Sequence, residues 1–198
     1  MSVRSERLIR IPLERVGVLV GREGSVKAEI ERRCGVKLEI DGTTGDVILS
    51  YPQEASPENL NSLRAADIVS AIGRGFSPEK AMGLLEEGKM LTIIDLRQYS
   101  GKSENALKRI RSRLIGTDGK ARRIIEQLSE TQISIFGHTA AIIGEMKESR
   151  VAQDAIEKLA SGGTHKAAYQ MLQRYRTKQK LERLQLWETQ APPEENET

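Results

Sequence analysis

Cysteine, aromatic residues and long apolar runs are what this chain has least of. A single cysteine, Cys34, among 198 residues excludes an internal disulfide framework, and no CxxC pair or HExxH helix is present to hold zinc. Its place at the end of an expected helix, with no activating neighbour in sequence, makes packing the expected role. No apolar stretch approaches the roughly 18 residues of a membrane span, runs such as Val16 to Val20 being the longest, and MSVRSERLIR has no hydrophobic signal core. A reducing, cytoplasmic setting without a membrane partner is expected. Two Phe, four Tyr and one Trp are too few for stacking platforms of the RRM kind. Catalytic signatures are missing as well. Gly101, Lys102 and Ser103 would end a phosphate loop, but Leu96 stands where that motif needs a glycine. No Ser-His-Asp set, paired carboxylates or metal-ligand cluster stands at motif spacing, so no catalytic residue, metal or cofactor is expected.

Charge is plentiful and unevenly placed. Lys and Arg number 31 and Asp and Glu 28, a net +3, with 30% of residues charged and 38% apolar. Residues 188–198 hold Glu188, Glu194, Glu195 and Glu197 and no base, so residues 1–187 carry a net +7. A basic body with an acidic, proline-containing tail is frequent among proteins that meet nucleic acid, and common elsewhere too. The composition is too polar for one deep core and too balanced for disorder throughout, which favours two small, thinly cored domains.

The chain repeats itself. Shifted by 95 residues, VLVGREGSVKAEIERRCGVKLEIDGTTGDVI (18–48) lies over RLIGTDGKARRIIEQLSETQISIFGHTAAII (113–143). Leu19/Leu114, Gly21/Gly116, Gly24/Gly119, Ile30/Ile125, Glu31/Glu126, Gly42/Gly137 and Thr44/Thr139 are identical, while Leu38/Ile133, Ile40/Ile135, Val47/Ile142 and Ile48/Ile143 stay apolar. Further on the offset falls to 87, and YPQEASPEN (51–59) holds the eight extra positions, its two prolines marking a loop.

Each copy has the same local pattern. Short apolar runs at 8–12 and 91–96 suit strands, and a helix then leads to G-x-x-G, through a longer connection in the second copy. A second helix stops near Cys34 and Gly35, where glycine suits a left-handed cap. Val36, Leu38 and Ile40 alternate as a half-buried strand, residues 42–45 turn, and residues 47–49 return. A third helix over 60–74 closes the unit. The order β-α-α-β-β-α thus occurs twice, with added helices expected at 78–87 and 166–187, in an α+β fold. The expected organisation is a first domain over 1–88, a second with a C-terminal helix over 89–187, and an acidic disordered tail over 188–198.

Glycines flanking a two-residue loop between helices let a backbone approach closely, and the N–H groups at the next helix start then face a phosphate. One such loop is equally explained as a plain helix–helix turn. Two, in the same β-α-α-β-β-α context, are the device by which KH domains clamp about four nucleotides. The paired units, the loop IGTDG (115–119) and GGTHKAAYQMLQRYR (162–176) make the chain resemble the KH-domain small-subunit ribosome-assembly factors of archaea and eukaryotes, over residues 8–180. The resemblance implies two tandem type I KH domains and a non-catalytic, single-stranded RNA-binding factor acting near the 3′ end of small-subunit pre-rRNA. It also implies contact with the endonuclease that matures that end, and archaeal members are linked to the alpha subunit of translation initiation factor 2. Alternatives are a KH-fold protein–protein adaptor without specific RNA binding, and an RNA-decay KH protein, a type that adds an S1-type barrel for which this length leaves no room.

The candidate clamp in the second copy comprises Arg113, Ile115, Gly116, Thr117, Asp118, Gly119, Lys120, Arg122 and Arg123; in the first it comprises Gly21, Arg22, Glu23, Gly24 and Lys27. Residues 108–123 carry a net +6 and the matching 13–28 only +1, so the second copy is expected to bind RNA more tightly. Ile115 and Ile133 are candidates for an apolar base platform, with core the stronger expectation for Ile133. Each loop holds an acid, Glu23 or Asp118, which opposes a phosphate unless it points away or caps the next helix. Thr164 is expected to cap the last helix, beside His165. His138 falls in a hairpin turn, and Trp187 is either a clasp or a partner anchor.

Overall fold

The computed structural model describes residues 6–51 and 60–190. In the first unit a strand β1 (Glu6–Arg10) leads through Ile11 and Pro12 into helix α1 (Leu13–Val20). A single 3-10 turn at Arg22–Gly24 joins it to α2 (Ser25–Cys34); β2 (Lys37–Ile40), β3 (Asp46–Ser50), α3 (Leu60–Gly73) and the short α4 (Pro78–Met82) follow. The second unit runs β4 (Met90–Asp95), a four-residue α5 (Arg97–Ser100), α6 (Glu104–Ile115), a 3-10 turn at Thr117–Gly119, α7 (Lys120–Ser129), β5 (Gln132–Phe136), β6 (Thr139–Gly144), α8 (Met146–Ala160) and α9 (His165–Gln190). The β-α-α-β-β-α order expected from the repeat is present twice.

The bounds move for local reasons. Ile11 leaves the strand because its side chain turns into the core and its N–H donates to the Gly45 carbonyl at 2.9 Å, while Pro12, which has no N–H to lose, precedes the first turn of α1. Leu96 likewise turns inward beyond β4, fully buried, with its N–H on the His138 carbonyl at 2.8 Å. The expected helix over 78–87 is α4 plus a 3-10 turn at Gly83–Leu85. The last helix runs past Trp187 to Gln190, so 188–190 are helical rather than tail; residues 191–198 and the proline loop at 52–59 lie outside the described residues.

Both sheets are antiparallel and place the last strand of the unit in the middle, in the orders β1-β3-β2 and β4-β6-β5, the arrangement of a type I KH domain. The pairs Ile9↔Val47 and Leu38↔Leu49 in the first sheet, and Thr92↔Ile142 and Ile133↔Ile142 in the second, aim one face of each sheet at its own helices; the β5–β6 turn is two residues shorter than the β2–β3 turn, so the last strand sits two residues off the 95-residue repeat. Leu19, Ile30, Leu38, Leu49, Ile68 and Ile72 fill the first core, and Leu114, Ile125, Ile142, Ile156, Leu159 and Leu172 the second.

These are not two separately thin cores. The far face of the second sheet, through Ala141, Ile143 and Leu91, joins the core of the first unit. The central strand β6 of the second sheet is therefore covered on both sides, and burying one isoleucine such as Ile143 is worth about 1.5–3 kcal/mol. Polar contacts pin the junction. Ser134 Oγ donates to the Arg74 carbonyl at 2.9 Å, and Arg15 donates to the carbonyls of Ile72 at 2.8 Å and Phe76 at 2.5 Å. The Arg15 guanidinium also stands 5.7 Å from the centre of the Phe136 ring. Arg64 Nη1 donates to the carbonyls of Leu84, Glu86 and Lys89 at 2.5, 3.0 and 2.9 Å, bracing the link between the units.

Candidate nucleic-acid interface

The two G-x-x-G loops have nearly the same backbone. Gly21, Glu23 and Gly24 have φ of 74°, 51° and 79°; Gly116, Asp118 and Gly119 have 72°, 51° and 76°. The two glycines of each loop serve different needs. A Cβ on Gly21 would lie 2.8 Å from the Val26 nitrogen and one on Gly116 2.8 Å from the Ala121 nitrogen, so the first glycine lets the loop fold against the next helix. Around Gly24 nothing lies within 4 Å, and around Gly119 only Arg123 Nε at 3.9 Å, so the second glycine presents bare backbone outward. Because Gly24 and Gly119 occupy the cap positions of α2 and α7, no side chain caps either helix, and the expectation that Glu23 or Asp118 does so does not hold. Both acids are exposed. Uncapped first-turn N–H groups at a positive helix end remain to meet an anion.

The cations around the second loop are differently committed. Lys120 is exposed and has no hydrogen-bond or ion-pair partner among the described residues. Arg123 folds back, donating to the Asp118 carbonyl and, at 3.5 Å, to that of Gly119, so it stiffens the loop it borders. Arg122 Nε sits 3.7 Å from Glu126 Oε2. Arg113 is turned away: its Nη2 donates to the carbonyls of Gly162, at 3.2 Å, and Gly163, which ties α6 to the junction of α8 and α9. His165 Nε2 meets the Arg113 carbonyl at 3.0 Å from the same junction, and Thr164 Oγ1 accepts from the Ala167 N–H at 3.2 Å, capping α9. Arg113 is therefore a brace rather than a phosphate ligand, although its charge still adds to the local field. In the first loop Arg22 is exposed and Lys27 half-buried, both without a partner among the described residues. Ile115 is half-buried beside its loop, whereas Ile133, 3% exposed, belongs to the core.

A family model described as "Eukaryotic type KH-domain (KH-domain type I)" matches residues 90–177. A KH domain-containing protein of Methanocaldococcus jannaschii is 41% identical over 192 residues, 97% of this chain and 83% of that one. The chain belongs to the KH-domain family. Within that family it is similar to the solved Dim2p of Pyrococcus horikoshii in an a/eIF2alpha–aDim2p–rRNA complex, with a TM-score of 0.82 and 43% identity over 88% of this chain and 96% of that one. The pre-rRNA-processing protein PNO1 of Chaetomium thermophilum is 32% identical over 111 residues, 54% of this chain and 42% of its own length.

The KH frame contains a pair of residues whose role the repeat pattern left unassigned. Glu31 Oε1 accepts the Leu38 N–H at 2.8 Å, and Glu126 Oε1 accepts the Ile133 N–H at 2.8 Å. Each carboxylate locks the second KH helix to the strand that follows it, which keeps the loop at the head of that helix in place. The signal was the identity Glu31/Glu126 at an otherwise variable helix surface. Cys34 is fully buried, and burial pushes its thiol up to about 11, which leaves it inert. Among the described residues no group of His, Cys, Asp and Glu could hold a metal ion, and no helix is long and apolar enough to cross a membrane.

Proposed function

We infer that this protein is a single-stranded RNA-binding factor of small-subunit ribosome biogenesis, which binds small-subunit pre-rRNA near its 3′ end and assists its maturation. The observation that carries this reading is the second loop: a preformed GTDG turn with an open outer glycine, uncapped α7 N–H groups and Lys120 free beside it, inside a segment of net +6. The rRNA in the complex of the similar Dim2p supports it. In this reading Gly116, Thr117, Asp118 and Gly119 hold phosphates through backbone N–H groups, Lys120, Arg122 and Arg123 supply charge, and Ile115 offers apolar surface to a base. The first loop, Gly21 to Gly24 with Lys27, is the weaker clamp. The protein works in the cytoplasm without catalysis of its own, alongside the endonuclease that matures the rRNA end and the alpha subunit of translation initiation factor 2.

Fluorescence-anisotropy titration of a short RNA matching the mature 3′ end, beside a scrambled RNA and over several salt concentrations, tests this. Tighter, sequence-dependent binding that survives moderate salt is expected, and Thr117→Asp should weaken it by about tenfold by placing a second acid in the turn. Equal, salt-labile binding to both RNAs would favour instead the adaptor reading, which the exposed Glu23 and Asp118 support.

A further inference from the structure

The two units differ most in how the first strand reaches the first helix. In the first unit Ile11 and Pro12 suffice; in the second, residues 96–103, including α5, intervene before α6. Since the first unit folds with two residues there, the fold itself does not require the insertion.

What the insertion builds is an open cleft of about 460 Å³ between α5, the N-terminal half of α6 and the turn joining β5 to β6. Arg97, Lys102, Arg111 and His138 line it, against one acid, Glu104. Arg97 is committed to Asp95, 2.6 Å away, whereas Lys102 and Arg111 have no partner among the described residues. In the first unit Val16, buried in its core, stands where Arg111 stands in the second.

The cleft is aligned with the loop. Leu107, Arg111 and Ile115 recur every four residues along α6, a single stripe on one helix face that ends at Gly116. Leu107 and Arg111 line the cleft, and Ile115 adjoins the loop. From Gly116 back along α6 the helix rises roughly 7.5 Å to Arg111 and roughly 18 Å to Glu104, so the cleft extends from beside the loop to beyond the reach of its N–H groups.

We propose that this cleft is a second phosphate-holding subsite for the RNA strand gripped at the GTDG loop, with Lys102 and Arg111 neutralising backbone phosphates and Leu107 giving an apolar wall to a sugar or base. The subsite rests on the RNA-binding reading and lengthens its footprint beyond the roughly four nucleotides of one KH groove. An acidic protein segment is the lesser fit, because the helix stripe that carries Arg111 leads directly to the G-x-x-G turn.

The test uses the full chain, a tetranucleotide, and an RNA of about ten nucleotides that contains it, titrated against wild type, the double variant Lys102→Ala with Arg111→Ala, and Thr117→Asp. Expected for the double variant is about a fivefold or greater loss on the longer RNA only, with the slope of log affinity against log salt falling by about 1.4, two phosphates' worth for a single strand. Thr117→Asp should weaken both RNAs. A double variant that binds the longer RNA as wild type does, while Thr117→Asp still weakens it, overturns the subsite and leaves the function standing. Equal loss on both RNAs overturns it too, by assigning the two cations to the groove itself. Wild-type protein that binds neither RNA overturns both readings. An acidic peptide that loses affinity for the double variant while the longer RNA does not would give the cleft to a protein partner.

Discussion

The two KH units fold alike and use the outer faces of their sheets in opposite ways. On the first sheet, Leu8 is 64% exposed beside Ile48, and Arg10–Asp46 and Lys37–Glu39 pair across solvent at 2.7 and 3.8 Å. At the matching positions of the second sheet, set by strand pairing, stand Leu91 for Glu6, Ile93 for Leu8, Thr139 for Asp46, Ser134 for Glu39 and Ala141 for Ile48. The acids Glu6, Asp46 and Glu39 become the apolar or hydroxylic Leu91, Thr139 and Ser134 where the first unit lies on the sheet, since a buried carboxylate without a partner costs far more than its neutral replacement. The helix-facing residues hardly change. A duplicated fold thus divides its labour through its outward positions: one face stays in water, the other becomes the joint, and the loops diverge in charge.

The most severe way to break the comparison is to put an acid on the buried outer face of the second sheet. Ala141→Asp should cost about 3 kcal/mol or more in urea unfolding, or split it into two transitions, because the new carboxylate enters the shared core. On the open face of the first sheet, by contrast, Asp46→Ala removes one exposed ion pair and should cost at most about 1 kcal/mol. Equal effects would mean that the joint is not formed in solution.

Next come the paired carboxylates. Glu31→Ala and Glu126→Ala should each cost about 1.5–3 kcal/mol, the loss of a charge-assisted hydrogen bond to a strand N–H. The second should be the costlier, because Arg122 Nε, buried and lacking any hydrogen bond, also loses its ion-pair partner. A smaller effect, of opposite sign, is expected at the end of α7. Gly35 closes α2 with φ 65°, while at the matching position Glu130 takes φ 56°. Glu130→Gly should therefore stabilise by roughly 0.5–1 kcal/mol, readable as a raised Tm.

The mildest contrast is electrostatic. Hydrogen bonds from the Thr43 hydroxyl and N–H hold the Asp41 carboxyl at about 2, and the Arg97 side chain does the same for Asp95, also at about 2. Both lie below the ordinary value near 3.9, so their contribution is complete above that pH and is lost as pH falls through about 2. Carboxyl NMR titration should give two midpoints near 2; a midpoint near 3.9 for either would mean that its turn is not held as described.

Much of this was legible in one sequence because the chain carries its own comparison. Glycines recurring at 21, 24, 116 and 119, with alternating apolar residues after them, disclosed two units and their G-x-x-G loops. Less was legible where side chains meet across distance. Arg113 reads as a loop cation, yet it is spent on carbonyls 49 and 50 residues away. Asp118 reads as a cap, yet glycine holds the cap position. Lys102 reads as part of a failed phosphate-loop match and Arg111 as one charge of a basic segment; only the fold brings both to one cleft.

The sequence by itself determined the repeat, the element order, the helix-facing residues and the charge difference between the loops, because periodicity and glycine placement act over a few neighbouring residues. Only the tertiary structure decided that the central strand of the second sheet is buried on both faces and which cations are left without a partner among the described residues. Both depend on carbonyls and side chains brought together from residues 13–20, 64–91 and 134–163, and no local pattern encodes those meetings.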